Sequence, residues 1–95
     1  MKIRLIYVKE PSTIEYIHFL TDKDTIEVYK LPFMTQVVDS TGSHKFGRFN
    51  DSFDYIEKKL KKDKPEKLMI ISNSIELLVT VRRWLKLKEE IEFIC

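Results

Sequence analysis

The densest group of reactive side chains lies in one short stretch, Ser43-His44-Lys45-Phe46-Gly47-Arg48-Phe49. It joins an imidazole that titrates near neutrality, two cations, two aromatic rings and a hydroxyl. Cations interleaved with rings can hold backbone phosphates and stack bases. His44, Lys45, Phe46 and Arg48 therefore form a candidate phosphate or nucleic-acid site. A small nuclease using His44, with Asp39 as its partner or Ser43 as nucleophile, is the catalytic version of this reading. The plainer version has Phe46 and Phe49 anchoring a loop while Lys45 and Arg48 are solvated. No nucleophile elbow surrounds Ser43, so the balance leans away from an enzyme.

A second candidate is Ser72-Asn73-Ser74, which follows an apolar run and opens a helical pattern. Free backbone N–H groups there would favour an anion, which makes Ser72 and Ser74 candidate phosphate ligands. Ordinary helix capping accounts for the same residues. Walker and dinucleotide fingerprints are missing, because the chain has only Gly42 and Gly47. A third candidate is Trp84 with Arg82, Arg83 and Lys86. Tryptophan and arginine are favoured anchors of protein interfaces, so these four are candidate partner-binding residues. His18 and His44 are the only histidines and Cys95 the only cysteine. None of the three has metal-ligand spacing, and neither a metal nor a cofactor is expected.

Composition narrows the classes further. The 95 residues suit a single small globular domain, spanning 1–95. The hydrophobic fraction of 43% and charged fraction of 34% suit a folded soluble protein and argue against disorder. A chain this short buries a limited core, so a second copy or another partner would add stability. The net charge of +2 is too small to imply nucleic acid by itself, although nucleic acid stays possible. No apolar run approaches a membrane span, and no membrane partner is expected. One cysteine cannot form an internal disulfide, and a cytoplasmic location is the default expectation.

The elements that must position these residues follow from periodicity. Lys2–Val8 reads as a strand with apolar residues on both sides, expected to lie centrally and be covered on both faces. Over residues 12–21, Ser12 and Glu15 make a capping box, and Thr13, Tyr16, Ile17 and Leu20 fall on one helical face. A helix is preferred there over the competing strand, Ile14 to Phe19. Thr25–Leu31 reads as a strand, Phe33–Val38 as a further short one, and 39–50 as one long polar connection of a kind often functional. A helix is expected over 51–62, with lysines in its last turns where the dipole favours them.

Lys67–Ile71, Ile75–Lys86 and Glu90–Ile94 then form a strand–helix–strand unit whose strands lie parallel. The segments around residues 4–29 echo that unit, which favours a helix at 12–21. The expected fold is α/β or α+β. It has a small mixed, partly parallel sheet of four to five strands with about three helices, ordered β-α-β-(β)-α-β-α-β. The leading functional expectation is a non-enzymatic binding or regulatory protein acting through protein contacts, self-association included. The alternative is the phosphate-directed binder built on residues 41–49.

Overall fold

The computed structural model describes residues 1–94, so Cys95 lies outside the described residues. Its strands are β1 (Lys2–Val8), β2 (Glu15–Thr21), β3 (Thr25–Lys30), β4 (Thr35–Asp39), β5 (Gly42–Phe46), β6 (Lys67–Ser72) and β7 (Ile91–Ile94). Its helices are α1 (Phe53–Asp63), entered through a 3-10 turn at Phe49–Ser52, and α2 (Ile75–Trp84). All seven strands share one mixed sheet in the order β5-β4-β3-β2-β6-β1-β7. Strands β2 to β5 are an antiparallel meander. Strand β1 runs parallel to both β6 and β7, and β6 joins the meander antiparallel to β2.

The small mixed, partly parallel sheet is as expected, but the counts differ: seven strands and two α-helices stand in place of four to five strands and three helices. The first difference is residues 15–21, expected as a helix. They form β2, between β6 and β3, with Ile17 and Phe19 fully buried. The capping-box serine has another task. Ser12 Oγ accepts from Ile14 N at 3.2 Å, a local turn that leads into a strand. Asn73, expected to cap α2, instead fixes the entry to β2. Its side chain accepts from Tyr16 N at 3.0 Å and donates to Ile14 O at 2.8 Å. Ser74 caps α2, accepting from Leu77 N at 3.3 Å.

The second difference is residues 39–50. They are a tight hairpin between β4 and β5 followed by the 3-10 turn, not one long connection. Asp39 Oδ1 accepts from Thr41 N at 2.9 Å, and Gly42 takes φ 121°, a value side chains rarely adopt. Thr35 pairs with Phe46 and Val37 with His44, so the stretch expected to be a loop is an edge strand.

Both helices lie on one face of the sheet. The buried cluster takes Leu5 from β1, Ile17 and Phe19 from β2, Ile26 and Val28 from β3, Val37 from β4, and Leu68 and Ile70 from β6. In the strand register these side chains point the same way. Ile56 of α1 and Leu77, Leu78 and Val81 of α2 complete the cluster. Phe53 and Trp84 stack across the two helices, centroids 4.3 Å apart at 11°. Among the described residues, no helix or strand packs on the opposite face. The expectation that β1 is covered on both sides is therefore corrected: Ile6 and Val8 alternate onto the bare face.

Candidate functional site

The residues expected to bind phosphate do not converge. His44 and Phe46 point toward the helices, whereas Lys45 alternates onto the bare face and Arg48 precedes the 3-10 turn. Ser72 and Ser74 lie four strand spacings from β5, roughly 19 Å at the usual separation of strands. Both work internally: Ser72 Oγ donates to Tyr16 O and accepts from Ser74 N, and Ser74 caps α2. The expected partner-binding group is divided too. Trp84 stacks on Phe53, Arg82 is half-buried with its Nε unpartnered, and Arg83 and Lys86 are exposed.

Two other constellations stand out in the structure. The first gathers polar groups around Asp39 at the end of β4, whose side chain is 0% exposed. Tyr55 OH and Thr41 Oγ1 both donate to its carboxylate. His44 Nε2 lies 2.8 Å from Thr41 Oγ1 and 3.0 Å from Tyr55 OH. With both hydroxyl protons directed at Asp39, Nε2 is the donor in these contacts, so Nε2 is not the nitrogen that could accept a proton. Lys59 Nζ sits 2.7 Å from Asp24 and 3.8 Å from Asp39 and Asp63. Ser40 Oγ donates to Asp24 at 2.7 Å.

Burial opposes the charge of Asp39, but the bonds from Thr41 and Tyr55 and the nearby Lys59 outweigh it and hold its pKa down to about 2. Lys59 and Ser40 hold Asp24 well below the carboxylate range. Burial, then the bond to Asp39, pushes the Tyr55 phenol up. A raised phenol is a poor nucleophile. The cluster ties the β2–β3 and β4–β5 turns to α1. Beside it, Thr41, Tyr55, Lys58, Lys59, Lys62 and Asp63 line a shallow groove of about 290 Å³.

The second constellation is the bare sheet face. Its centre is apolar and aromatic: Leu20 beside Met69, then Ile6, Ile71 and His18 in the next row, then Tyr16 beside Tyr29. These side chains are buried by their in-sheet neighbours only, and all but Ile6 stay partly exposed. His18 lies between two tyrosines, with ring centroids 4.6 Å from Tyr16 and 5.6 Å from Tyr29. Burial pushes the His18 pKa down, against the pull of Glu27 and Glu10. Its Nε2 is enclosed and has no hydrogen-bond partner.

The two ends of this face differ in charge. At one end Lys2, Arg4 and Lys67 surround a groove of about 470 Å³ floored by Leu20 and Met69. Asp22 is also there, but its Oδ1 accepts from Glu66 N at 3.0 Å. Arg4 is held by Glu92 through bonds of 2.9 and 2.7 Å, which leaves the two lysines free. Toward the other end Glu27 accepts from Tyr29 OH at 2.9 Å, and Glu10 bonds Tyr16.

Sequence reasoning missed this face because a helix at 12–21 scatters Tyr16, His18 and Leu20 around a cylinder. The strand alternation of those three residues was the signal that could have found it. Among the described residues, no group of three or more His, Cys, Asp or Glu is placed to hold a metal ion, and no helix is long and apolar enough to cross a membrane. Comparison with protein-family models, curated proteins and solved structures gave no match.

Proposed function

We propose that this chain is a non-enzymatic binding protein that works through protein contact, and that its contact surface is the bare face of the sheet. The observation that carries this reading is the arrangement of that face: an apolar and aromatic centre with lysine, arginine and glutamate around it, the anatomy of a protein interface. The molecule as a whole extends 33 × 32 × 21 Å, and all seven strands lie side by side in one sheet. Strands some 20 Å long in it offer roughly 600 Å² in projection, near the ~800 Å² per partner of a standard interface. The partner the reading favours is a second copy, which would give a small chain the second layer it lacks.

Light scattering behind a sizing column tests this. The expected result is a dimer that is insensitive to moderate salt and converts to monomer on Ile71→Lys, with the circular dichroism unchanged. A wild-type chain that is monomeric at every concentration up to the millimolar range overturns it.

The groove beside α1 favours a second reading, the phosphate-directed binder. Lys58, Lys59 and Lys62 face it together with two hydroxyls. Lys59 is engaged with three carboxylates and Lys58 with Asp54, so Lys62 would carry most of the binding. Single-stranded RNA and DNA, titrated at low and high salt, decide it. Salt-sensitive binding that falls on Lys62→Glu supports the groove, and no binding at low salt removes it.

A further inference from the structure

The bare face is bipolar, and its polarity fixes how two copies would meet. Strand β6 is separated from β3 by β2 alone. Lys67 stands two positions before Met69, which pairs with Leu20; Glu27 pairs with His18, two positions along β2 on the far side. Lys67 and Glu27 therefore lie diagonally across the face, about 17 Å apart at standard strand spacing and rise. Leu20 marks the midpoint between them.

We infer that the chain forms a face-to-face homodimer about a two-fold axis that passes over Leu20 and seats Lys67 of each copy on Glu27 of the other. This rests on the self-association reading above and adds the register. A two-fold in the plane of the interface that is perpendicular to the Lys67–Glu27 line at its midpoint lays each of the two over the other's position in the mate, so both ion pairs form at once. The same operation lays Lys2 of one copy over the Tyr29 ring of the other, a cation on an aromatic face. Met69 of each copy falls between His18 and Ile71 of its mate, which fills the apolar centre. The axis runs diagonally to the strands, so the two sheets cross steeply, the orthogonal rather than the aligned class of sheet packing.

The charge distribution speaks for a second copy over an unrelated protein. Lys2 and Lys67 lie at one end of the face, beside Asp22, whose Oδ1 accepts from Glu66 N; Glu27 lies at the other end, and the apolar residues lie where the diagonal is halved. That pattern complements itself. In the aligned alternative, with the two-fold along the strands through β2, Glu27 would lie over the apolar Ile71 of its mate and lose its pairing with Lys67. Arg4, already bonded to Glu92, is not needed for the pairing.

Charge exchange tests the register. The dissociation constant is measured by sedimentation for wild type, Lys67→Glu, Glu27→Lys and the double variant Lys67→Glu/Glu27→Lys. Circular dichroism and melting temperature check each fold. Each single reversal should weaken the dimer at least about tenfold, and the double variant should recover most of that loss. If the single reversals leave the constant unchanged while Ile71→Lys still dissociates the dimer, the face is the interface but this register is wrong. If the double variant is weaker than either single one, the two residues do not meet and the register is likewise overturned. A wild-type chain that never dimerises overturns the register and the function together.

Discussion

The two faces of the sheet have the same strands, length and twist, yet their side chains differ in kind. The covered face presents Leu5, Ile17, Phe19, Ile26, Val28, Val37 and Ile70, aliphatic residues and one phenylalanine, all at 0–1% exposure. The bare face mixes the aliphatic Ile6, Leu20 and Ile71 with Tyr16, His18, Tyr29 and Met69, and has lysine, arginine and glutamate around them. Tyrosine, histidine and methionine tolerate both water and contact, because each joins an apolar body to a polar or polarisable group. A face meant only for water would carry more charge at its centre, and one meant only for the core would carry none. The covered face is where folding stability resides. The bare face is suited to an association that can be made and undone.

The comparison can be broken by substitution. The largest effect belongs to the covered face: Phe19→Ala removes a fully buried ring from the middle strand and should cost ~3–5 kcal/mol. Its urea midpoint should fall far enough to leave a large unfolded fraction at 25 °C. On the bare face, Ile71→Lys should cost about 1 kcal/mol or less in the monomer while abolishing association. If Ile71→Lys unfolds the chain as Phe19→Ala does, the two faces are not different in kind.

Trp84→Ala belongs with the covered side. It removes the stack on Phe53 and should lower stability by about 2 kcal/mol, with no effect on association beyond that. Denaturation and sedimentation of the same variant separate the two effects.

Acid probes the network that ties the turns to α1. The folded-state pKa of Asp39, about 2, lies below its ordinary 3.8. Its contribution is therefore complete above about pH 4 and is lost as the pH falls toward 2, an amount of about 2 kcal/mol. The lowered Asp24 acts in the same direction. Urea midpoints at pH 7 and pH 3 should differ less in Asp39→Asn than in wild type. The smallest effect is expected at Phe33, 96% exposed in the β3–β4 turn, where Phe33→Ser should stay within about 0.5 kcal/mol.

Much of the framework was legible in the chain. Strand β6, helix α2 and strand β7 follow their periodicities, and so does the lysine-ended helix α1, because each segment's local pattern agrees with its tertiary setting. Strand β2 was not legible, since its sequence satisfies two templates. Thr13, Tyr16, Ile17 and Leu20 fit a helix, and Ile17 and Phe19 fit a strand. Only pairing with β6, about fifty positions away, decides between them. The hairpin at residues 39–42 was written in its Asp-Ser-Thr-Gly turn chemistry but was obscured by the polar residues that follow it. The Asp39 cluster was half visible, as a possible pairing of Asp39 with His44. Tyr55 and Lys59 could be added only once α1 was placed against the hairpin. The bare face depended wholly on β2 being a strand.

The placement of β1 has a consequence for the order of events as the chain forms. Its neighbours are β6 and β7, and Lys2 pairs with Lys67, 65 positions later. The meander from β2 to β5 can close by short local hairpins, whereas β1 has no partner until β6 has been made. Of the seven strands in this sheet, β1 is made before the others and is among the last to be seated. Closing so long a loop is slow, and until then the apolar strand is free to pair with other chains.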